Sequence, residues 1–289
     1  MLDSGAPSVS GAKKEASSVI IGSCVFYVVL ATGEPEMAVL NLSFAACGFL
    51  GIYHLGAVGA ILRHGDKLLG SLRACAGASA GALVAAVMIT APDKLEQCKE
   101  FTNRFANSVR GQPFGAVTPG YDFMLTLREG MEEILPSEAH SLATDRLHIS
   151  MTHSGSGKNH IVSRFTSREE LIKALLASSF VPVYAGLKPV EFRGQKWIDG
   201  GFTDSLPTLP VGRTITVSPF AGLQDVCPVH GGRYNGQLRL ANMDIMFSME
   251  NIKRLNQALF PPSTSSMHVL CEQGFDDAVR FLKREAWMS

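Results

Sequence analysis

Ser79 stands in Gly77-Ala78-Ser79-Ala80-Gly81, a G-x-S-x-G run that can carry a nucleophilic hydroxyl. Such a hydroxyl attacks an ester carbonyl when a base takes its proton and donors hold the oxyanion that forms. Leu72-Arg73-Ala74-Cys75-Ala76 before it reads as a short buried strand. Residues 82–89 after it are apolar on all sides and read as two turns of helix. A strand, a sharp turn and a helix put the serine at a helix N-terminus. Unpaired N–H groups and a partial positive charge there stabilise an anion. The plain alternative is a glycine-rich turn with a surface serine; the flanks favour a nucleophile.

Two other stretches bear on the same chemistry. Ala45-Ala46-Cys47-Gly48-Phe49-Leu50-Gly51 is a small-residue loop between an expected strand (38–44) and an expected helix (52–63). Such loops expose backbone N–H groups at a helix start. The G-x-x-G spacing fits neither nucleotide fingerprint, so an oxyanion hole is the better reading if the loop lies beside Ser79. Asp199 ends an apolar strand and precedes Gly200-Gly201. Taken alone this is an ordinary Asp-Gly hairpin turn. The alternative is a carboxylate with room for close approach, able to take the serine proton directly. His140, His148, His153, His160, His230 and His268 follow Ser79 without distinguishing surroundings, which keeps a Ser-His-Asp esterase as a rival.

The bulk composition narrows the classes. The chain has 289 residues, 46% hydrophobic and 18% charged, with 26 basic and 26 acidic side chains. Zero net charge argues against nucleic acid as a partner. Six scattered cysteines without a C-x-x-C pair read as reduced and structural, in a cytosolic protein. No His/Cys spacing suits a metal, and nothing calls for a cofactor.

The elements that must position these residues follow an α/β pattern. Residues 1–37 read as a non-core N-terminal extension, and residues 38–289 as one domain. The apolar stretch 19–31 is shorter than the roughly twenty residues a membrane span needs and has the shape of a signal-peptide core; an optional extension is the preferred reading, with Met37 as an alternative start. Thr90-Ala91-Pro92-Asp93 reads as a capping box. Leu95, Cys98, Phe101, Phe105 and Val109 then share a helix face, as do Met124, Leu127, Met131 and Ile134. These stripes are core or the wall of an acyl pocket. Hairpins are expected over 147–165 and 190–198, a capped helix over 167–178, a strand over 213–217, and amphipathic helices over 242–259 and 275–287. Those last helices are expected to pack on the body, and any exposed apolar face would meet a lipid droplet or membrane surface.

Taken together, Ala46 to Gly51, Gly77 to Gly81 and Asp199-Gly200-Gly201 resemble, in order, the motifs of the patatin-like phospholipase family. The resemblance runs from about residue 38 to the C-terminus and is nearest to a short animal member. It implies a three-layer α/β/α sandwich with a mainly parallel central sheet. It implies a Ser–Asp dyad with Ser79 as nucleophile and Asp199 as base. Gly48, Phe49 and Ala80 would supply the oxyanion hole, and Gly51, Gly77, Gly81, Gly200 and Gly201 complete the motifs. Substrates would be acylglycerols, retinyl esters or phospholipids, in triglyceride catabolism and lipid metabolism, with transacylation open to the same acyl-enzyme. The family loop is usually G-G-G-x-[RK]-G. Here Ala46, Cys47 and Leu50 replace two glycines and the basic residue, a form shared with a lipid-droplet branch. Loss of that charge favours neutral esters. The altered loop also keeps open a catalytically silent regulatory protein on the same fold. Asp204 stands where the family often has Asn, and if it faced Asp199 it would raise that group's pKa.

Overall fold

The computed structural model describes residues 16–21, 24–29, 39–229 and 236–288. The chain divides into two units, Met1–Ala38 and Val39–Ser289. In the first, β1 (Ala16–Ile21) pairs antiparallel with β2 (Cys24–Val29). The apolar stretch 19–31 falls partly on this hairpin and partly outside the described residues.

The second unit alternates strands and helices. It runs β3 (Leu40–Phe44), α1 (Gly51–His64), α2 (Asp66–Ser71), β4 (Leu72–Ala78), α3 (Ala80–Thr90), α4 (Leu95–Arg110), α5 (Phe123–Ile134) and α6 (Ala139–Ala143). Then come β5 (Leu147–His153), β6 (Asn159–Val162), α7 (Arg168–Ser178), β7 (Val190–Phe192), β8 (Gln195–Asp199) and β9 (Arg213–Val217). It ends with β10 (Gln237–Leu240), β11 (Met243–Met246), α8 (Met249–Leu259) and α9 (Thr264–Arg284).

The central sheet has seven strands in the order β7-β8-β5-β4-β3-β9, with β6 also on β5. β9, β3, β4 and β5 are parallel; β6, β8 and β7 run antiparallel to their neighbours. Every residue of β3 is buried. Burial on both faces is the mark of a strand covered by helices on each side, so the unit is a three-layer α/β/α sandwich.

One edge of β5 positions the site. β6 pairs with Ile149 to Thr152, overlapping the stretch of β5 paired with β4 and the stretch paired with β8. A strand has two edges, so β4 and β8 share the edge that β6 leaves. β4 ends with Ala78 opposite Ser150, and antiparallel β8 ends with Asp199 opposite Met151. The C-terminal ends of β4 and β8 therefore meet head to head.

Three sequence expectations change. Thr90 is the last residue of α3 and its hydroxyl donates to the Ala86 carbonyl at 2.8 Å, so no capping box forms; a 3-10 turn, Pro92–Lys94, leads into α4 instead. Residues 242–259 are not one helix. Ala241 and Asn242 have positive φ, 43° and 69°, and close a two-residue hairpin between β10 and β11 before α8 begins. The last helix starts at Thr264, with the Ser263 hydroxyl capping the Ser266 N–H. Gly274, just before the expected helix start at 275, lies inside α9 where it passes α1. A Cβ there would fall 2.0 Å from the Tyr53 carbonyl oxygen, and one at Gly56 of α1 would fall 1.9 Å from that of Cys271. Among the described residues no helix is long and apolar enough to cross a membrane.

Candidate active site

Ser79 is the single residue between β4 and α3, at φ 54° and ψ −130°. A non-glycine residue there carries strain on the order of 1–3 kcal/mol, which its surroundings must hold. The Ser79 N–H donates to Ser178 Oγ at 2.9 Å, and Ser178 Oγ donates to the Ser150 carbonyl at 2.7 Å. Gly81 lets α3 sit on the end of β3, since a Cβ there would lie 2.1 Å from the Phe44 carbonyl oxygen. Ser79 is thereby fixed to three strands and α7, with its own N–H already used. The next N–H, that of Ala80 in the first turn of α3, is the one aimed outward by helix geometry.

Asp199 is almost fully buried. Its N–H donates to the Phe180 carbonyl, and Thr152 Oγ1 donates to its carbonyl, each at 2.8 Å. Its Oδ1 accepts the Gly201 N–H at 2.7 Å, and the Ser79 hydroxyl is close enough to the same carboxyl to lower its pKa. Burial lifts its pKa to about 6, opposed by the Ser79 hydroxyl and the Gly201 N–H. Asp204 has no part in this shift. Its carboxylate accepts from Asn242 Nδ2 at 3.3 Å, and burial raises its own pKa.

The loop before α1 lies against the residues that follow both groups. The Ala46 N–H donates to the Ser205 carbonyl at 2.9 Å, and a Cβ on Gly201 would fall 2.8 Å from Ala46 Cβ. A Cβ on Gly51 would fall 3.2 Å from Ala80 Cβ. His54 Nε2–H donates to the Ala45 carbonyl at 2.9 Å; burial lowers this histidine to about 4, so it is neutral and holds the loop's base. Gly48 has φ +53°, and a Cβ there would fall 2.1 Å from the Ala258 carbonyl oxygen of α8. Only glycine fits both that φ and that contact. The Cys47 thiol is raised well above its usual value by burial and by Asp199, so it stays protonated.

A cavity of about 140 Å³ opens from these residues. Gly48, Phe49, Ser79 and Ala80 form part of its wall, and Phe101, Phe105, Leu127 and Met131 form much of the rest. The Phe and Met stripes are thus core and cavity wall at once. Ser179 also lines it, with a buried hydroxyl that has no hydrogen-bond partner. The described histidines stay out of the cavity wall, and among the described residues no group of His, Cys, Asp and Glu can hold a metal. A hydroxyl, a carboxyl that is mostly ionised at neutral pH and helix-start N–H groups beside an apolar cavity can carry out acyl transfer without a histidine. No local pattern marks Ser178, Ser179, Ala258 or Leu259 as site residues, since they reach the site through long-range packing; Ser178 stands 99 residues from Ser79.

Residues 42–211 match the Patatin-like phospholipase family. The chain belongs to that family. It is 61% identical over 248 residues to the human patatin-like phospholipase domain-containing protein 4, covering 86% of this chain and 98% of that protein. It is 38% identical over 262 residues to the rat patatin-like phospholipase domain-containing protein 2, covering 88% of this chain and 53% of that protein. The human omega-hydroxyceramide transacylase is 38% identical over 252 residues, covering 87% of this chain and 47% of the relative. This patatin-like chain therefore spans nearly all of one relative and about half of the others.

Proposed function

We propose that the chain is a serine-dependent lipid acyl hydrolase working through a Ser79–Asp199 dyad. Ser79 Oγ attacks the ester carbonyl while its proton passes to Asp199. The N–H groups of Gly48, Phe49 and Ala80 hold the tetrahedral oxyanion. The C–O bond to the alcohol then breaks, and Asp199 returns the proton to the leaving alkoxide. Water attacks the acyl-serine next, again giving its proton to Asp199. Ser79 leaves with that proton and the fatty acid is released. An alcohol in place of water gives transacylation through the same intermediate, the activity in the name of the ceramide relative.

The observation that carries the reading is the meeting of the ends of β4 and β8, which sets the Ser79 hydroxyl beside a buried carboxyl whose pKa is raised to about 6. Such a carboxyl is mostly ionised at neutral pH yet basic enough to take a proton in the transition state. The apolar wall and the uncharged Leu50 favour neutral esters, acylglycerols or retinyl esters, over phospholipids. Ser79→Ala should abolish fatty-acid release from a triolein or retinyl ester emulsion, and Asp199→Asn should do nearly the same. Retained hydrolysis by the Ser79→Ala protein would end the assignment.

A further inference from the structure

α8 sits inside out. Its inward face is polar or small: Asn251 is buried, donating from Nδ2 to the Ala221 and Met246 carbonyls at 2.8 and 2.7 Å and accepting the Ala221 N–H at 3.0 Å. Arg254 and Ala258 share that side. Its apolar residues point away. Met249 is 74% exposed, Ile252 43%, Leu255 41% and Leu259 38%, at helical spacing on one face. Phe247 before the helix and Phe260 after it are exposed too. Single exposed apolar residues are ordinary, but a continuous stripe marks a surface that is covered in use.

The stripe leads to the cavity. Leu259 belongs both to the stripe and to the wall of the Ser79 cavity. Tyr184 Oη donates to the Leu259 carbonyl at 2.5 Å, tying in a loop that exposes Val183 and Leu187. Lys253 is exposed beside Ile252, and a lysine there can keep its charge at headgroup phosphates while the neighbouring apolar side chains are buried.

We propose that the outer face of α8 docks on a lipid surface and brings the cavity rim down to it. The choice of occupant rests on the lipid-ester reading. A folded partner or a second copy seated on this stripe would cover the rim at Leu259 and Tyr184. A lipid layer would instead be the source of the ester that enters. Embedding the stripe in the headgroup region buries the exposed side chains as an interfacial helix does.

Flotation with dioleoylphosphatidylcholine vesicles tests this. The wild-type and Ser79→Ala proteins should float equally, so the docking result stands whether or not the dyad is right. The triple variant Met249→Ser, Ile252→Gln, Leu255→Gln should partition roughly a hundredfold more weakly. It should still hydrolyse dissolved p-nitrophenyl butyrate at the wild-type rate, since none of the three lines the cavity. Met249→Gln alone, at the most exposed position, should weaken partition several-fold and serves if the triple variant fails to fold. Failure of the wild-type protein to float, equal partition of the variants, or a dimer that the triple variant dissolves would each overturn the proposal.

Discussion

At Asp199, burial has two opposite consequences. The free carboxyl titrates near 3.8 and the folded one at about 6. Between those values the unfolded chain has lost its proton and the folded chain still holds it. Stability therefore falls as pH rises from about 4 to 6, and the whole penalty, roughly 3 kcal/mol, stands above 6. Asp199→Asn should raise the melting temperature at pH 7.5 but not at pH 3.5, while cutting hydrolysis by on the order of a thousandfold. Melts at both pH values with one rate assay check this, and an unchanged melt at pH 7.5 contradicts it. In the wild-type protein kcat/KM should rise with pH through about 6, as the base ionises; a flat profile from pH 5 to 8 would exclude Asp199 as the base. Ser79 reads as a nucleophile because its strand and helix adjoin it in sequence. Asp199-Gly200 reads locally as a hairpin turn, and it was the resemblance in motif order that pointed to Asp199 as the base, because its proposed role depends on a partner strand across the sheet.

Between elements, backbone contact decides which glycines matter. Where α1 crosses α9, Gly56 and Gly274 each face a carbonyl of the other helix. Gly274→Ala must part the helices and should cost about 1–3 kcal/mol. Gly70 in α2 has nothing within 4 Å of its missing Cβ, and Gly70→Ala should be neutral or stabilising by up to ~1 kcal/mol. Thermal melts of the two variants should move apart, and equal shifts would refute the crossing geometry. Amphipathic stripes made α4 and α5 readable. The start of α9 was hidden because Gly274 is there for a neighbour's backbone, which no local pattern reports. The β10–β11 hairpin was hidden because its turn, Ala241-Asn242, lacks the usual glycine.

Across the whole molecule, every proposed site residue lies in the unit Val39–Ser289. A chain beginning at Val39 is expected to melt like the full chain and to hydrolyse dissolved esters at the same rate; loss of either would make the first 38 residues part of the working enzyme. The α/β class was legible from alternating strands and helices and from the order of three motifs. The return of β8, antiparallel, onto the edge that β4 vacates was not, since pairing across such distances leaves no mark in composition. That shared edge fixes more than proximity. Serine and carboxyl are spaced by the hydrogen-bond ladder of β5, so their separation is quantised. Sliding β8 by one residue would carry Asp199 about 3.3 Å and turn it to the opposite face of the sheet. Insertions within β8 are therefore all-or-none for the hydroxyl–carboxyl contact, whereas lengthening the exposed 154–158 turn leaves the ladder, and the spacing, as it is.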